Sequence, residues 1–258
     1  MRKSYFILII YLLINRCYAS DIVRVIGGRA VAMGRTSVCE QSVWGLQNNP
    51  AGLSYLNGWN FGIYYENQWM MKETAFKSGA IAKAIPKIGC IGLSVNQFGS
   101  SEYSENKFGI AYARDFGPYL QMGLQFDYLL LHWDHDYPNR RSPGFELGIQ
   151  SQVTERLRLG AFIFNIQVMR LGMAYQIADN FITQCELEKN NEQQGMQVRC
   201  GFEYLVFNAF GLRTGVQYNP NILTFGLGYE FKHVHVDVAA QLHQMLGYSI
   251  QIGLSGKV

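Results

Sequence analysis

The chain has 258 residues, a formal net charge of +3 and only 16% charged side chains. With no cluster of lysine and arginine, it carries no electrostatic footprint for nucleic acid. No internal stretch reaches the ~18–20 apolar residues of a spanning helix, while 14% aromatic residues, 27 glycines and six prolines suit many short strands and tight turns.

In chain order, residues 1–19 read as a secretory signal. Arg2 and Lys3 precede an apolar run over 5–14, and Cys17-Tyr18-Ala19 fits a small-x-small cleavage site. The run is too short for an anchor, and Asn15 and Arg16 before Cys17 are wrong for lipidation. Residues 20–58 do not alternate. They hold Gly27-Gly28-Arg29-Ala30, then Met33-Gly34-Arg35, then Asn48-Asn49-Pro50-Ala51-Gly52-Leu53. Irregular backbone cannot face lipid, because its polar groups must be satisfied by protein or water. The expectation is a plug inside a barrel. Within it, Asn49 to Gly52 read as a tight turn set by Pro50. Asn48 and Asn49 are suited to bonding free backbone groups. A gate or substrate contact is the functional alternative for this motif.

From Trp59 the pattern becomes period two, the mark of a strand with two different faces. Leu223, Phe225, Leu227, Tyr229 and Phe231 share one face; Thr224, Gly226, Gly228 and Glu230 share the other. Residues 196–206 and 234–242 repeat it. An apolar face opposite glycine, amide and charge is the polarity of a transmembrane barrel, apolar outside and polar inside. About fourteen strands are expected: 59–67, 76–85, 87–97, 105–115, 118–133, 143–153, 156–165, 168–178, 180–189, 195–206, 208–218, 222–232, 234–244 and 246–256. The fold class is thus an all-β, antiparallel transmembrane barrel with an N-terminal hatch, divided as 1–19, 20–58 and 59–258. Short turns such as Ala178-Asp179-Asn180, Phe207-Asn208 and Lys232-His233 assign one end to the periplasm. Longer polar connections at 69–74, 99–104, 134–142 and 190–194 face outward. With the export signal, this gives an address in a Gram-negative outer membrane, with its lipid as the first partner.

Parity puts Glu66, Asp127, Glu146, Glu186, Glu188, Glu203, Glu230 and Asp237 in the lumen, with Arg158, Arg170, Arg199 and Arg213. Arg170, Glu186, Arg199, Glu203 and Arg213 are expected to form a ladder of buried charges that neutralise one another. The alternative is a charged constriction that selects a permeant. Apolar lumen residues are few: Leu129, Leu131, Trp133, Phe162 and Phe164. Eleven glycines also point inward: Gly109, Gly123, Gly148, Gly160, Gly172, Gly201, Gly211, Gly215, Gly226, Gly228 and Gly253. Glycine weakens a strand unless something approaches closely, and a plug against the wall supplies the reason. Cys185 and Cys200 fall opposite each other on one hairpin, facing out. Two unbonded lipid-facing residues are favoured there over a strained bridge. No Cys/His spacing suits a metal and no cofactor is implied. His132, His135, His235 and His243 lack a neighbouring nucleophile, so an enzyme is not expected.

The segment Gly27-Gly28-Arg29-Ala30-Val31-Ala32-Met33-Gly34-Arg35, followed by Trp44-Gly45-Leu46-Gln47-Asn48-Asn49-Pro50-Ala51-Gly52-Leu53, resembles the N-terminal hatch of the PorV/PorQ family. That family lies within the FadL-like superfamily of long-chain fatty-acid transporters. Cys200-Gly201-Phe202-Glu203-Tyr204, Leu212-Arg213-Thr214-Gly215 and Phe225-Gly226-Leu227-Gly228 are similar to its closing strands. The chain departs from the family at Glu40-Gln41, where an acidic pair is usual, and in ending on Gly-Lys-Val rather than an aromatic residue. The resemblance implies a fourteen-stranded barrel with a hatch. It implies a barrel of type IX secretion acting through secretion-machinery or exported protein partners, or alternatively a channel for hydrophobic small molecules such as long-chain fatty acids.

Overall fold

The computed structural model describes residues 23–134, 138–207 and 209–258. The signal expected at 1–19, His135 and the Asn208 half of one turn lie outside them. Fourteen strands follow one another: β1 (Trp59–Asn67), β2 (Ala75–Ile85), β3 (Gly89–Gly99), β4 (Tyr103–Asp115), β5 (Leu120–Trp133), β6 (Arg140–Gln152), β7 (Leu157–Phe164), β8 (Val168–Ala178), β9 (Phe181–Asn190), β10 (Gln197–Val206), β11 (Phe210–Tyr218), β12 (Ile222–Phe231), β13 (Val234–His243) and β14 (Gly247–Lys257). Each pairs antiparallel with the next, and β14 closes on β1. Closure leaves no strand edge in the barrel, as an apolar solvent demands.

Alternating burial explains the closure. Phe225 is 55% exposed on the outside, whereas its neighbour Thr224 is fully buried inside. The same alternation runs around the wall, so the barrel wears an apolar skin of aromatic and aliphatic side chains. The end where β1 starts and β14 stops, called proximal here, turns tightly at Asp179-Asn180 and Lys232-His233. At the distal end the β1–β2 connection is long enough to hold two 3-10 turns, Gln68–Met70 and Lys72–Thr74.

Most boundaries lie within two residues of the sequence pattern, and two corners bear on the fold. The expected distal loop 134–142 is partly strand: Arg140 and Arg141 pair with Leu131 and Leu130. Their charge marks exposure, and an exposed strand pairs as well as a buried one. The β7–β8 corner is confined to 165–167, where Asn165 and Ile166 take positive φ.

Residues 23–58 lie within the barrel. They form α1 (Gly28–Ala32), α2 (Gly45–Asn48) and a 3-10 helix, Pro50–Tyr55. The tight turn expected at Asn49 to Gly52 is the start of that 3-10 helix. Asn49 caps it by accepting the Ala51 N–H at 3.1 Å, and Pro50 fits the first position because no N–H is needed there. Ile26, Trp44, Leu46 and Leu53 join Tyr64, Phe76 and Phe98 of β1–β3 in an apolar cluster. Val38 and Cys39 join Phe162, Phe164, Val168 and Ala174 of β7 and β8 in another.

Candidate functional site: the occupied lumen

The motif residues tie the inner segment to itself and to the wall. Asn48 accepts the Ile26 N–H at 3.0 Å and donates to the Ile26 carbonyl at 2.7 Å. Asn49 donates to the carbonyls of Val38 (2.7 Å) and Ala161 (3.2 Å). Pro50 and Ala51 press on Gly123 and Gly148; a Cβ added at Gly123 would lie 2.3 Å from the Pro50 carbonyl carbon. Gly52 has its own close approach, since a Cβ there would meet the Glu40 carbonyl oxygen at 2.3 Å. Leu53 sits in the larger apolar cluster.

The five charges of the expected ladder divide into two groups. Near the distal end, Arg170 meets Glu188 at 2.5 Å and Arg199 meets Glu186 at 2.9 Å and Glu188 at 3.0 Å. Near the proximal end, Glu203 receives Arg213 at 2.6 Å and Arg29 of α1 at 2.5 Å. Arg213 also pairs with Asp237. The inner segment separates the groups. Met33 and Gly34 lie on Gly201 and Gly215: a Cβ at Gly215 would fall 2.1 Å from the Gly34 nitrogen. Thr224 pins the same turn, accepting the Gly34 N–H and donating to the Ala32 carbonyl, both at 2.8 Å. Glu186 adds a second grip, since one of its oxygens accepts the Ser37 and Val38 N–H groups at 2.7 and 2.8 Å. A carboxylate shared by an arginine and two amides is well satisfied despite burial.

Several lumen residues went unread in the sequence. Lys107 is buried between Glu146 and Asp127, the latter at 3.5 Å. It shares strand parity with Gly109, and that was its signal. Arg35 of the inner segment meets Glu66 at 2.6 Å; nothing local announced that pairing. Burial raises the Glu40 carboxyl to about 7, with Arg29 opposing the rise and Asp237 adding to it. Gly62 and Gly92 were also missed: they lie against Trp44 and Leu46.

Some expectations need correcting. Gly211 and Gly228 make room for the Arg213 guanidinium, and Gly109 for the Ser94, Gln125 and Asp127 side chains, not for the inner segment; Arg213 lies along the wall to reach Asp237. Trp133 is 40% exposed and packs edge-on against Tyr103 at 4.5 Å. With Leu131 only partly buried, the upper end of β5 rises past the filled lumen. His132 contacts the Asn139 side chain at 2.8 Å, and His235 stands 3.6 Å from Glu230 at the proximal mouth.

What remains open is divided. A cavity of about 420 Å³ at the proximal end is lined by Arg29, Glu40, Arg158, Glu203, Arg213 and Asp237. One of about 300 Å³ at the distal end is lined by Arg35, Arg170, Glu188, Arg199, Gln217 and Gln241. Both abut β8–β13, with the turn around Met33 and Gly34 between them. On the outer wall, Val198, Cys200, Val216, Tyr218, Leu223 and Leu242 line a mainly apolar recess of about 520 Å³. Among the described residues no group of three His, Cys, Asp or Glu side chains is set to hold a metal ion.

No protein-family model matches the chain, and no curated protein matches it in sequence. Solved structures do share its fold. The Pseudomonas putida toluene transporter TodX is 12% identical, with a TM-score of 0.67 over 90% of this chain and 96% of that one. The CymD monoaromatic hydrocarbon channel is 13% identical, with a TM-score of 0.64 over 92% and 97%. A Pseudomonas aeruginosa FadL homologue is 12% identical, with a TM-score of 0.58 over 90% and 97%.

Proposed function

We propose that this chain is a FadL-like outer-membrane channel for hydrophobic small molecules, exported by its 1–19 signal, with residues 23–58 as its hatch. The observation that carries the reading is a filled lumen inside an apolar-skinned barrel. A general porin needs a clear aqueous path. Here the two vestibules end on backbone packed against backbone at Gly201 and Gly215. A barrel so closed suits a permeant that needs no continuous water column. The hydrocarbon specificity in the names of TodX and CymD supports this choice. The apolar recess between β10 and β13 offers such a molecule a place on the wall.

The secretion role implied by the PorV/PorQ resemblance is the second reading. It rests on the hatch motif and on Met70, Met71 and Met245, which stand exposed at the distal rim. The comparisons lend it no support.

Proteoliposomes carrying the full chain test the first reading. Toluene uptake above that of protein-free vesicles, without swelling in small sugars, is expected. Swelling in sugars would mark an open pore and overturn it. Native mass spectrometry of the membrane-extracted protein adds a second arm. A small apolar ligand supports the channel, whereas a retained protein partner with no small ligand supports secretion.

A further inference from the structure

β9 and β10 pair in a register that sets Cys185 directly opposite Cys200. Their Sγ atoms stand 2.8 Å apart. A disulfide bond is about 2.0 Å long, so only a small movement separates contact from bond. Both cysteines point outward, since the residues beside them, Gln184, Glu186, Arg199 and Gly201, are buried in the lumen. Joining the two sulfurs therefore displaces no group of the interior. The other two cysteines of the described residues differ. Cys39 and Cys90 are each buried, in separate apolar clusters.

We propose that Cys185 and Cys200 are an oxidation site that closes a cross-strand disulfide. The co-reactant is a disulfide-bearing thiol oxidant, met while the hairpin is still in water before it enters the membrane. One cysteine thiolate attacks the oxidant's S–S bond and expels one thiol. The second cysteine thiolate then attacks the mixed disulfide and expels the other. The two protein thiols lose two protons and two electrons, and the oxidant's disulfide becomes two thiols. Only the oxidising compartment rests on the outer-membrane reading.

The bridge has a consequence for the lumen. The inner face of the same hairpin carries Glu186, which holds Ser37 and Val38, and Glu203, which holds Arg29. Because side chains alternate, a slip of one residue between β9 and β10 would turn the carboxylate of the slipped strand outward. A covalent link at Cys185 and Cys200 fixes that register independently of the hatch.

The test is a thiol map of the full chain extracted from the membrane without reductant. Free thiols are alkylated in denaturant, and the digested peptides are weighed. The expected result is a peptide holding Cys185 joined to one holding Cys200, with Cys39 and Cys90 alkylated. In the same protein, reductant should lower the unfolding midpoint. The double variant Cys185→Ser with Cys200→Ser should show no such dependence. Alkyl groups on both Cys185 and Cys200, or a bridge from either to another cysteine, would overturn the proposal. Fractionating the same cells reads the outer-membrane location separately, so the two failures are distinguishable.

Discussion

Leu227 lies midway along β12 and is half exposed on the outside of the barrel, while Gly226 beside it faces Ala32 of the inner segment. Two adjacent residues thus meet different solvents. Arginine at Leu227 should cost about 2–4 kcal/mol, the penalty for a cation on the lipid face near the midplane. Urea unfolding in lipid vesicles measures that loss, and an unchanged midpoint would count against a lipid-facing wall. Glu40 makes a second prediction at this scale. Its ordinary value is 4.5 and burial raises it to about 7. Across that window the folded chain keeps a proton that the unfolded chain releases. Stability is therefore greatest below the window and falls as pH rises through it. Glu40→Gln should flatten this fall, followed by the fluorescence of buried Trp44 during thermal unfolding at several pH values.

At the scale of the element, glycines decide how closely the inner segment seats. Gly215 of β11 leaves no space for a methyl group, because the Gly34 backbone already occupies it. Gly79 of β2 has nothing within 4 Å. Gly215→Ala should push the Met33-Gly34 turn off the wall and join the two vestibules, giving measurable ion conductance in planar bilayers. Gly79→Ala should leave the barrel silent. Equal conductance from both variants would place the barrier elsewhere. The strands themselves were legible because alternation is a local signal: β1 and β8 carry the boundaries read from the pattern, and most others lie within two residues. The upper end of β6 was not, since Arg140 and Arg141 look like loop residues until their pairing with β5 is known. At Pro50 the sequence shows only the turn that opens the 3-10 helix, because the two begin with the same Asn-Pro signal.

For the whole molecule, the inner segment is held by two kinds of force. Trp44, Leu46 and Leu53 pack against small and aromatic side chains of β1–β4, a contact of apolar area. Across the barrel, Arg29, Ser37 and Val38 are held by carboxylates of β9 and β10. The barrel is legible in the chain alone: strand number, wall parity, most of the inward charges and most of the inward glycines. Those follow from a period-two pattern that each strand carries within its own ten or so residues. Which charges meet is set by the folded barrel. Arg199 and Glu203 lie on one strand and one face, yet they belong to separate groups because Met33 sits between them on Gly201. Arg29 reaches its carboxylate across 174 positions of chain. No local pattern encodes such a contact, since it exists only once the barrel has closed around its own N-terminal segment.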